Sequence, residues 1–358
     1  MNPAVLVAGY TTRHVAASAA LAGYEVYAVD HFCDQDLFWC TKDALAFDEL
    51  DGLPFAIEEM LAWHEVDFVV TTSGAELLEI PQRLGTDPSV AARFMDKGKT
   101  QEFFESLGIP VPRRLSDGEY PAMMKTLSGA GGWRNAVVCS DEERAIWEEF
   151  VRHEPFLMQE VIVGLPASVS CIGNGTAALA IATNEQILHG GDMGAYAFSG
   201  SVTPCMHPLS ERMKELAERI VAASGCIGSV GVDFVLTDRE VYAIEINPRF
   251  QGTVGTVEAA TGASLFQMHV DACRGILPTA GPTAQQFCVR RILAAPEDLT
   301  LHSDMRLFAQ TITDIPYPGT TFEEGEMMFS VLGCGPSRAE AFAALDKHII
   351  DAVQYIRT

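Results

Sequence analysis

The sequence predicts a parallel α/β domain followed by a two-part α+β domain whose sheet is mainly antiparallel. Three observations predict it. The chain opens on an apolar run, a helix-like stretch and a second apolar run, the β-α-β unit that begins a parallel sheet. Beyond Met158, alternating segments are separated by turn residues rather than by helical crossovers, as in antiparallel sheets. Finally, 358 residues with 48% hydrophobic content exceed what one domain of roughly 150 residues needs.

Taken in order, residues 4 to 9 (AVLVAG) read as a strand, 13 to 22 as a helix and 25 to 30 (EVYAVD) as a strand. A further strand at 66 to 72 (VDFVVTT) ends in Ser73-Gly74-Ala75-Glu76, before an expected helix. The first domain is therefore expected over residues 1–95, with helices on both faces of its sheet. From Asp96 the texture changes. DKGKTQEFFESLGIPVPRR starts a helix and stops it at Gly108 and Pro110; the strand AMMK and the loop SGAGG follow. Residues 96–162 are expected to form the first part of the second domain, and the segment from Phe156 to Gly164 across its end reads as a strand leading into a turn. Residues 163–358 form the rest, with amphipathic helical spacing at 212–223 and again from Ala339. Asp233 is expected to start a strand.

Twenty-four basic and 48 acidic side chains leave a formal charge of -24, which argues against a nucleic-acid partner, because binding a phosphate backbone needs surface Lys and Arg. No apolar run approaches the roughly 18 residues of a bilayer span. The first residues carry no export pattern, so a soluble, cytoplasmic protein is expected. Nine cysteines without a C-x-x-C pair suggest reduced, mostly buried thiols rather than a disulfide or zinc framework.

Several local patterns fail as sites. Asp30 ends the second strand where a dinucleotide-binding acid would sit, yet Gly9 is followed by Tyr10, Thr11, Thr12 and Arg13, without the required glycines. Gly173-Asn174-Gly175 lies between two strands, and Asn-Gly reads as a two-residue hairpin turn. Gly98-Lys99-Thr100 has no preceding strand and reads as a helix N-terminus. No G-x-S-x-G or H-E-x-x-H motif is present.

The strongest signal is GVDFVLTDREVYAIEINPRFQG at 231–252. Glu245 and Asn247 are two apart and share a face, and across a hairpin Asp233 can join them. Two carboxylates and an amide carbonyl are the hard oxygen ligands that magnesium takes, completed by water and nucleotide phosphates. Arg249, two residues further on, adds a fixed cation. A second element is Lys125 ahead of Ser128-Gly129-Ala130-Gly131-Gly132, a loop whose N–H groups suit phosphate oxygens. Lys97 follows Asp96 at the opening of the second domain. The strand that reaches Gln159 and Glu160 and turns at Val161-Ile162 offers backbone to an adenine edge between apolar side chains.

In this order the segments resemble the ATP-grasp superfamily, carboxylate-amine (thiol) ligase type, over nearly the whole chain. Glu245-Ile246-Asn247-Pro248-Arg249 is the most specific piece. The resemblance implies a Rossmann-like domain preceding a two-part ATP-grasp domain, and ATP with Mg2+ (or Mn2+) as cofactors. It implies that Lys97 and Lys125 contact phosphates and that Ser128 to Gly132 close over them as a lid. Glu160 and Ile162 would hold adenine, Asp233, Glu245 and Asn247 would ligate two cations, and Arg249 would neutralise the transferred phosphate. Two departures stand out. The residues after the hinge, Gly164-Leu165-Pro166-Ala167-Ser168, lack the acid that holds ribose in many members. Lys125 is followed by Thr126 where a proline is common, and Trp133 follows the loop.

The implied reaction is amide or peptide-like bond formation through an acylphosphate, with release of ADP and phosphate from small-molecule carboxylate and amine substrates. Paired subunits, a homodimer, are common in such families. Substrate residues are expected at strand ends: Arg13, Ser73 and Glu76 in the first domain, and Arg290 near the cation hairpin. The segment Asn184 to Gly200, with Gly190-Gly191, reads as a hairpin near the acceptor. An ATP-binding regulatory protein without ligase activity and an NAD-dependent oxidoreductase stay open as alternatives.

Overall fold

The structure is a computed structural model that describes residues 2–129, 131–132, 134–189 and 196–356. Its first sheet is parallel, in the order β3-β2-β1-β4. It is built from β1 (Ala4–Ala8), α1 (Arg13–Leu21), β2 (Glu25–Asp30), α2 (Gln35–Phe38), β3 (Asp43–Ala46), α3 (Leu53–Trp63) and β4 (Phe68–Thr71). Alternation along β1 divides two cores. Val5 and Val7 pack with Val15, Ala16 and Ala19 of α1, whereas Leu6 and Ala8 pack with Leu53, Ile57 and Met60 of α3. One correction falls here: no helix follows Glu76. The chain stays irregular until the short α4 (Pro88–Ala91), because Arg83 holds the loop open by donating to the carbonyls of Ala75, Glu76 and Leu78.

Next come α5 (Lys97–Ser106), β5 (Ala122–Thr126), β6 (Ala136–Val138), α6 (Asp141–Phe150) and β7 (Phe156–Glu160). The Asp96 side chain caps α5 by accepting from Lys99 N at 3.0 Å. The three strands form a small antiparallel sheet in the order β6-β5-β7, whose core centres on Trp147 of α6 with Met124, Val138 and Met158.

The remaining elements are β8 (Leu165–Asn174), β9 (Ala178–His189), β10 (Ala197–Thr203), α7 (Ser210–Ser224), β11 (Ile227–Leu236), β12 (Val241–Asn247), α8 (Val254–Thr261), α9 (Leu265–Cys273), β13 (Phe287–Ala294), β14 (Leu299–Thr300), β15 (Ile312–Thr313), β16 (Thr321–Phe322), β17 (Met327–Gly335) and α10 (Arg338–Ile356). Eight of these strands make one antiparallel sheet, β12-β11-β8-β9-β10-β13-β17-β15. The side chains of α7 and the inward residues of β8, β11 and β12 form one core. Residues of α9 and Phe250 join α1 and β1 in another, so the parallel sheet is packed onto the large one.

Three sequence expectations change. Asp233 lies well inside β11, which begins at Ile227. The turn after Gly173 centres on Gly175 and Thr176, because the Asn174 side chain accepts from Ala177 N at 2.8 Å and Asn174 N–H donates to Ala177 O. Cys288 and Cys334 are not free thiols: they sit directly opposite on β13 and β17, Cα atoms 4.3 Å apart, and are joined as a disulfide. Gly190 and Gly191, and Ala130 and Trp133 of the glycine loop, lie outside the described residues. Among the described residues no helix is long and apolar enough to cross a membrane.

Candidate functional site

The β11–β12 hairpin sets the site. Val232, Phe234, Val241, Ala243 and Ile246 point into the core. Simple alternation from Val241 would send Glu245 and Asn247 inward too. Instead the register breaks between Asp233 and Phe234, so that Phe234 faces Ala243 while Asp233 faces Glu245. This one-residue bulge turns Glu245 and Asn247 out of the core onto the face that carries Asp233. Asn247 Nδ2 donates to Asp233 Oδ2 at 3.0 Å. Two residues missed by the sequence reading complete the surroundings of Asp233. Gln186 of β9 donates to its Oδ1 at 2.9 Å, and Gln251 donates to the same oxygen at 3.4 Å. Gln251 reaches it by lying across Gly231, where any side chain would collide with its amide.

Burial, then the neighbouring charge of Glu245, raises the Asp233 carboxyl from 3.8 to about 7. Two opposed carboxylates form a hard-oxygen pair that suits Mg2+ or Mn2+, and a divalent cation would offset both the burial and the repulsion, while the Asn247 amide turns its Nδ2 to Asp233 and its Oδ1 to Arg249. Among the described residues no three His, Cys, Asp or Glu converge. That donor set fits a cation completed by phosphate oxygens and water, and does not fit an all-protein cage.

The small sheet and α5 bring two lysines to this hairpin. Lys97, in the first turn of α5, places Nζ 3.8 Å from Glu245 Oε1 and donates to Gly129 O at 2.5 Å. Lys125 on β5 is only 7% exposed. Burial lowers its pKa from 10.5 to about 8; Glu245 opposes that fall and Lys97 adds to it. Two cations, one of them desolvated, thus lie beside Glu245, and Lys97 also reaches the glycine loop. In that loop Gly129 and Gly132 adopt positive φ (109° and 72°), and a side chain on either would strike Arg134 or the Tyr196 carbonyl. Gly131 O accepts from Phe198 N of β10 at 3.2 Å, which ties the loop to the large sheet, and Ser128 O accepts from Thr126 Oγ1 at 2.7 Å.

At the hinge, Gln159 turns its buried side chain inward and donates to Gln101 Oε1 at 3.0 Å. Glu160 N–H donates to Arg113 O, and Glu160 Oε1 accepts from Arg113 N. The backbone left for a ligand is thus the Glu160 carbonyl with Val161 and Ile162, which lie beyond the strand.

The expected substrate residues fall into two groups. Arg249 Nε donates to Glu76 Oε1 at 2.7 Å and its Nη2 to Asn247 Oδ1 at 3.2 Å, which links the first sheet to the cation hairpin. Ser73 lies nearby, its carbonyl accepting from Tyr10 N at 2.7 Å. Arg13 and Arg290 share Asp314, at 3.0 and 2.8 Å, and Arg290 also donates to Ser330 Oγ and Gly252 O. His14, beside Arg13 and within the field of Arg290 and Arg249, was missed by the sequence reading; burial first, then those arginines, lowers its pKa to about 3, so the ring is neutral. Asp30 is occupied internally: it accepts from the N–H and hydroxyl of Thr12 and from Phe32 N and Cys33 N. That leaves no oxygen suited to a dinucleotide ribose and argues against the NAD alternative.

A parallel α/β sheet, a small antiparallel sheet carrying a lysine and a glycine loop, and a large antiparallel sheet ending in an acidic hairpin follow one another along the chain. Residues 94–253 match the ATP-grasp domain family, so this stretch of the chain is similar to an ATP-grasp domain. An uncharacterised protein of Methanocaldococcus jannaschii is 26% identical over 92% of this chain and 88% of its own length. The large chain of carbamoyl phosphate synthase from Myxococcus xanthus is 25% identical over 72% of this chain, which spans only 26% of that protein. In fold, the chain resembles a Campylobacter jejuni biotin carboxylase solved with β,γ-ATP (TM-score 0.76, 16% identity, 97% and 91% of the two chains). It also resembles an L-amino acid ligase from Bacillus licheniformis (TM-score 0.75, 14% identity, 97% of each chain).

Proposed function

We propose that this chain is an ATP-dependent ligase that joins a small-molecule carboxylate to an amine through an acylphosphate. The observation that carries the reading is the meeting of Asp233, Glu245 and Asn247 with Lys97, Lys125 and the glycine loop. In this reading residues 1–95, 96–162 and 163–358 are the preceding domain, the lid part and the remainder of the ATP-grasp domain.

The carboxylate oxygen attacks the γ-phosphorus of ATP, the bond to the β-phosphate oxygen breaks, and ADP leaves. The amine then adds to the acyl carbon, loses a proton and expels phosphate. No side-chain nucleophile is needed, so the protein's contribution is positioning and charge. Lys97 and Lys125 neutralise phosphate oxygens, and the desolvation of Lys125 strengthens its pull on them. Asp233, Glu245 and Asn247 would hold the cation, which supplies charge neutralisation at the triphosphate when bound. Arg249, steadied by Glu76, faces the transferred phosphate. Ser128 to Gly132 exclude water from the acylphosphate, and the Glu160 to Ile162 backbone holds adenine. Arg13, Ser73, Glu76 and Arg290 border the substrates.

ADP release measured with Mg2+ and ATP should appear only when an acid and an amine are supplied together. An ATP-binding regulatory protein would bind ATP and release no ADP under any such pairing, which would refute the proposal.

A further inference from the structure

We infer that the cleft between α1 and α8 receives the acid substrate, and that this acid carries a bulky, largely apolar body. The inference rests on the ligase reading and names the substrate class for it. The cleft has a volume of about 510 Å³, within the roughly 300–1,000 Å³ of small-molecule sites, and far more than a bicarbonate- or glycine-sized acid fills.

Its two ends differ chemically. Away from the arginines the walls are Ala17 and Leu21 of α1 with Ala259 and Ala263 on the α8 side, while Leu332 stands directly across from Arg290 in the β13–β17 pair. Leu21 is 86% exposed, an apolar side chain at the edge of the cleft with nothing covering it. Glu258, the carboxylate on this wall, accepts from Ser18 Oγ at 2.6 Å and Leu265 N at 2.7 Å, so its oxygens are engaged in the fold.

The inner end carries the arginines Arg13 and Arg290, with neutral His14 and Gly252. Arg290 uses both terminal nitrogens on Gly252 O, Asp314 and Ser330, and its Nε is buried without a hydrogen-bond partner among the described residues. Arg13 and Arg290 both line this end of the cleft, where guanidinium groups favour an anionic group such as a carboxylate. This end also adjoins the reaction centre. Gly252 follows Gln251, whose amide donates to Asp233. A Cβ on Gly252 would stand 3.2 Å from the ring of Phe198, the residue that ties down Gly131 of the glycine loop. An acid held head-inward would therefore present its carboxylate at the arginine end, next to Gly252, and lay its body along α1 and α8.

The test is calorimetric titration of acetate, butyrate, hexanoate and 6-phenylhexanoate into the full chain with a non-hydrolysable ATP analogue and Mg2+. Affinity should rise by about fourfold for each methylene buried. Ala259→Trp, which fills the cleft, should weaken 6-phenylhexanoate at least tenfold while leaving the affinity for the ATP analogue unchanged. Leu21→Asp, at an exposed position the fold does not depend on, should weaken it in the same direction. Affinity independent of chain length, no binding of the longer acids, or equal affinity in wild type and both variants would overturn the inference. Binding is read without turnover, so the two readings separate. Long acids that bind in the cleft but never yield ADP with an amine would remove the ligase reading alone. ADP formed from acetate with no gain along the series would remove the cleft alone.

Discussion

Lys125→Met isolates the cost of holding a lysine in a dry site. The side chain is 7% exposed, and burial lowers its pKa from 10.5 to about 8. At about 1.4 kcal/mol for each tenfold change in proton affinity, that fall corresponds to about 3 kcal/mol. Because the native pKa lies below the unfolded one, the unfolded chain binds more protons between pH 8 and 10.5, and wild-type stability rises across that window. Below pH 8 the full cost is present. Methionine has nearly the same length and no charge, so the variant should be more stable than wild type at pH 7 by up to about 3 kcal/mol, and the advantage should vanish near pH 10.5. Its affinity for ATP should fall about ten- to hundredfold with the loss of a charge-assisted contact. Urea denaturation of both proteins at pH 7 and 10, with nucleotide titration, reads all three effects. A variant no more stable at pH 7, or an advantage that persists unchanged at high pH, would refute the reasoning.

Three further outcomes follow from the same geometry. Glu245→Gln should abolish ATP turnover with an unchanged circular dichroism spectrum, because it removes a carboxylate of the cation set; unchanged turnover would contradict that role. Glu76→Gln should reduce kcat tenfold or more, on the order of 1.4 kcal/mol, with ATP affinity intact, since it frees Arg249 from its 2.7 Å partner; a change confined to nucleotide binding would argue otherwise. Asp314→Asn should destabilise the fold by about 3–5 kcal/mol in chemical denaturation, because Arg13 and Arg290 lose a shared buried partner. Burial alone would raise the Asp314 carboxyl, but Arg13 and then Arg290 hold it far below the usual carboxylate range. Its contribution is therefore present above pH 3.8 and is lost only in strong acid, so the gap between wild type and variant should stay constant from pH 8 down to 4.

The periodic elements were legible because short-range patterns specify them. Apolar runs marked β1 and β2, alternation marked the β11–β12 hairpin, and the Asp96 cap marked the start of α5. The helix expected after Glu76 was not, since the loop there is held by Arg83 through main-chain carbonyls, an interaction no composition signal carries. The face of Glu245 and Asn247 was only half legible. Their spacing of two puts them together, but the bulge that turns them away from Val241 and Ala243 depends on pairing with β11. Gln186 and Gln251 were missed because an isolated glutamine on a strand or loop carries no pattern; both gain meaning from their distance to Asp233. The Cys288–Cys334 pair, 46 residues apart, required knowing that β13 and β17 are neighbours. Arg13 and Arg290 were singled out as candidate anion ligands, yet their link through Asp314 joins positions 301 residues apart on the Arg13 side and 24 apart on the Arg290 side.

The central claim is that the outward face of the β11–β12 hairpin and the two lysines beside it form one triphosphate–cation site. Anomalous scattering from Mn2+ in crystals grown with a non-hydrolysable ATP analogue measures this directly. The account predicts a manganese peak bounded by Asp233 and Glu245 and touching phosphate oxygens that also contact Lys97 and Lys125. Manganese or triphosphate bound away from that hairpin would contradict it.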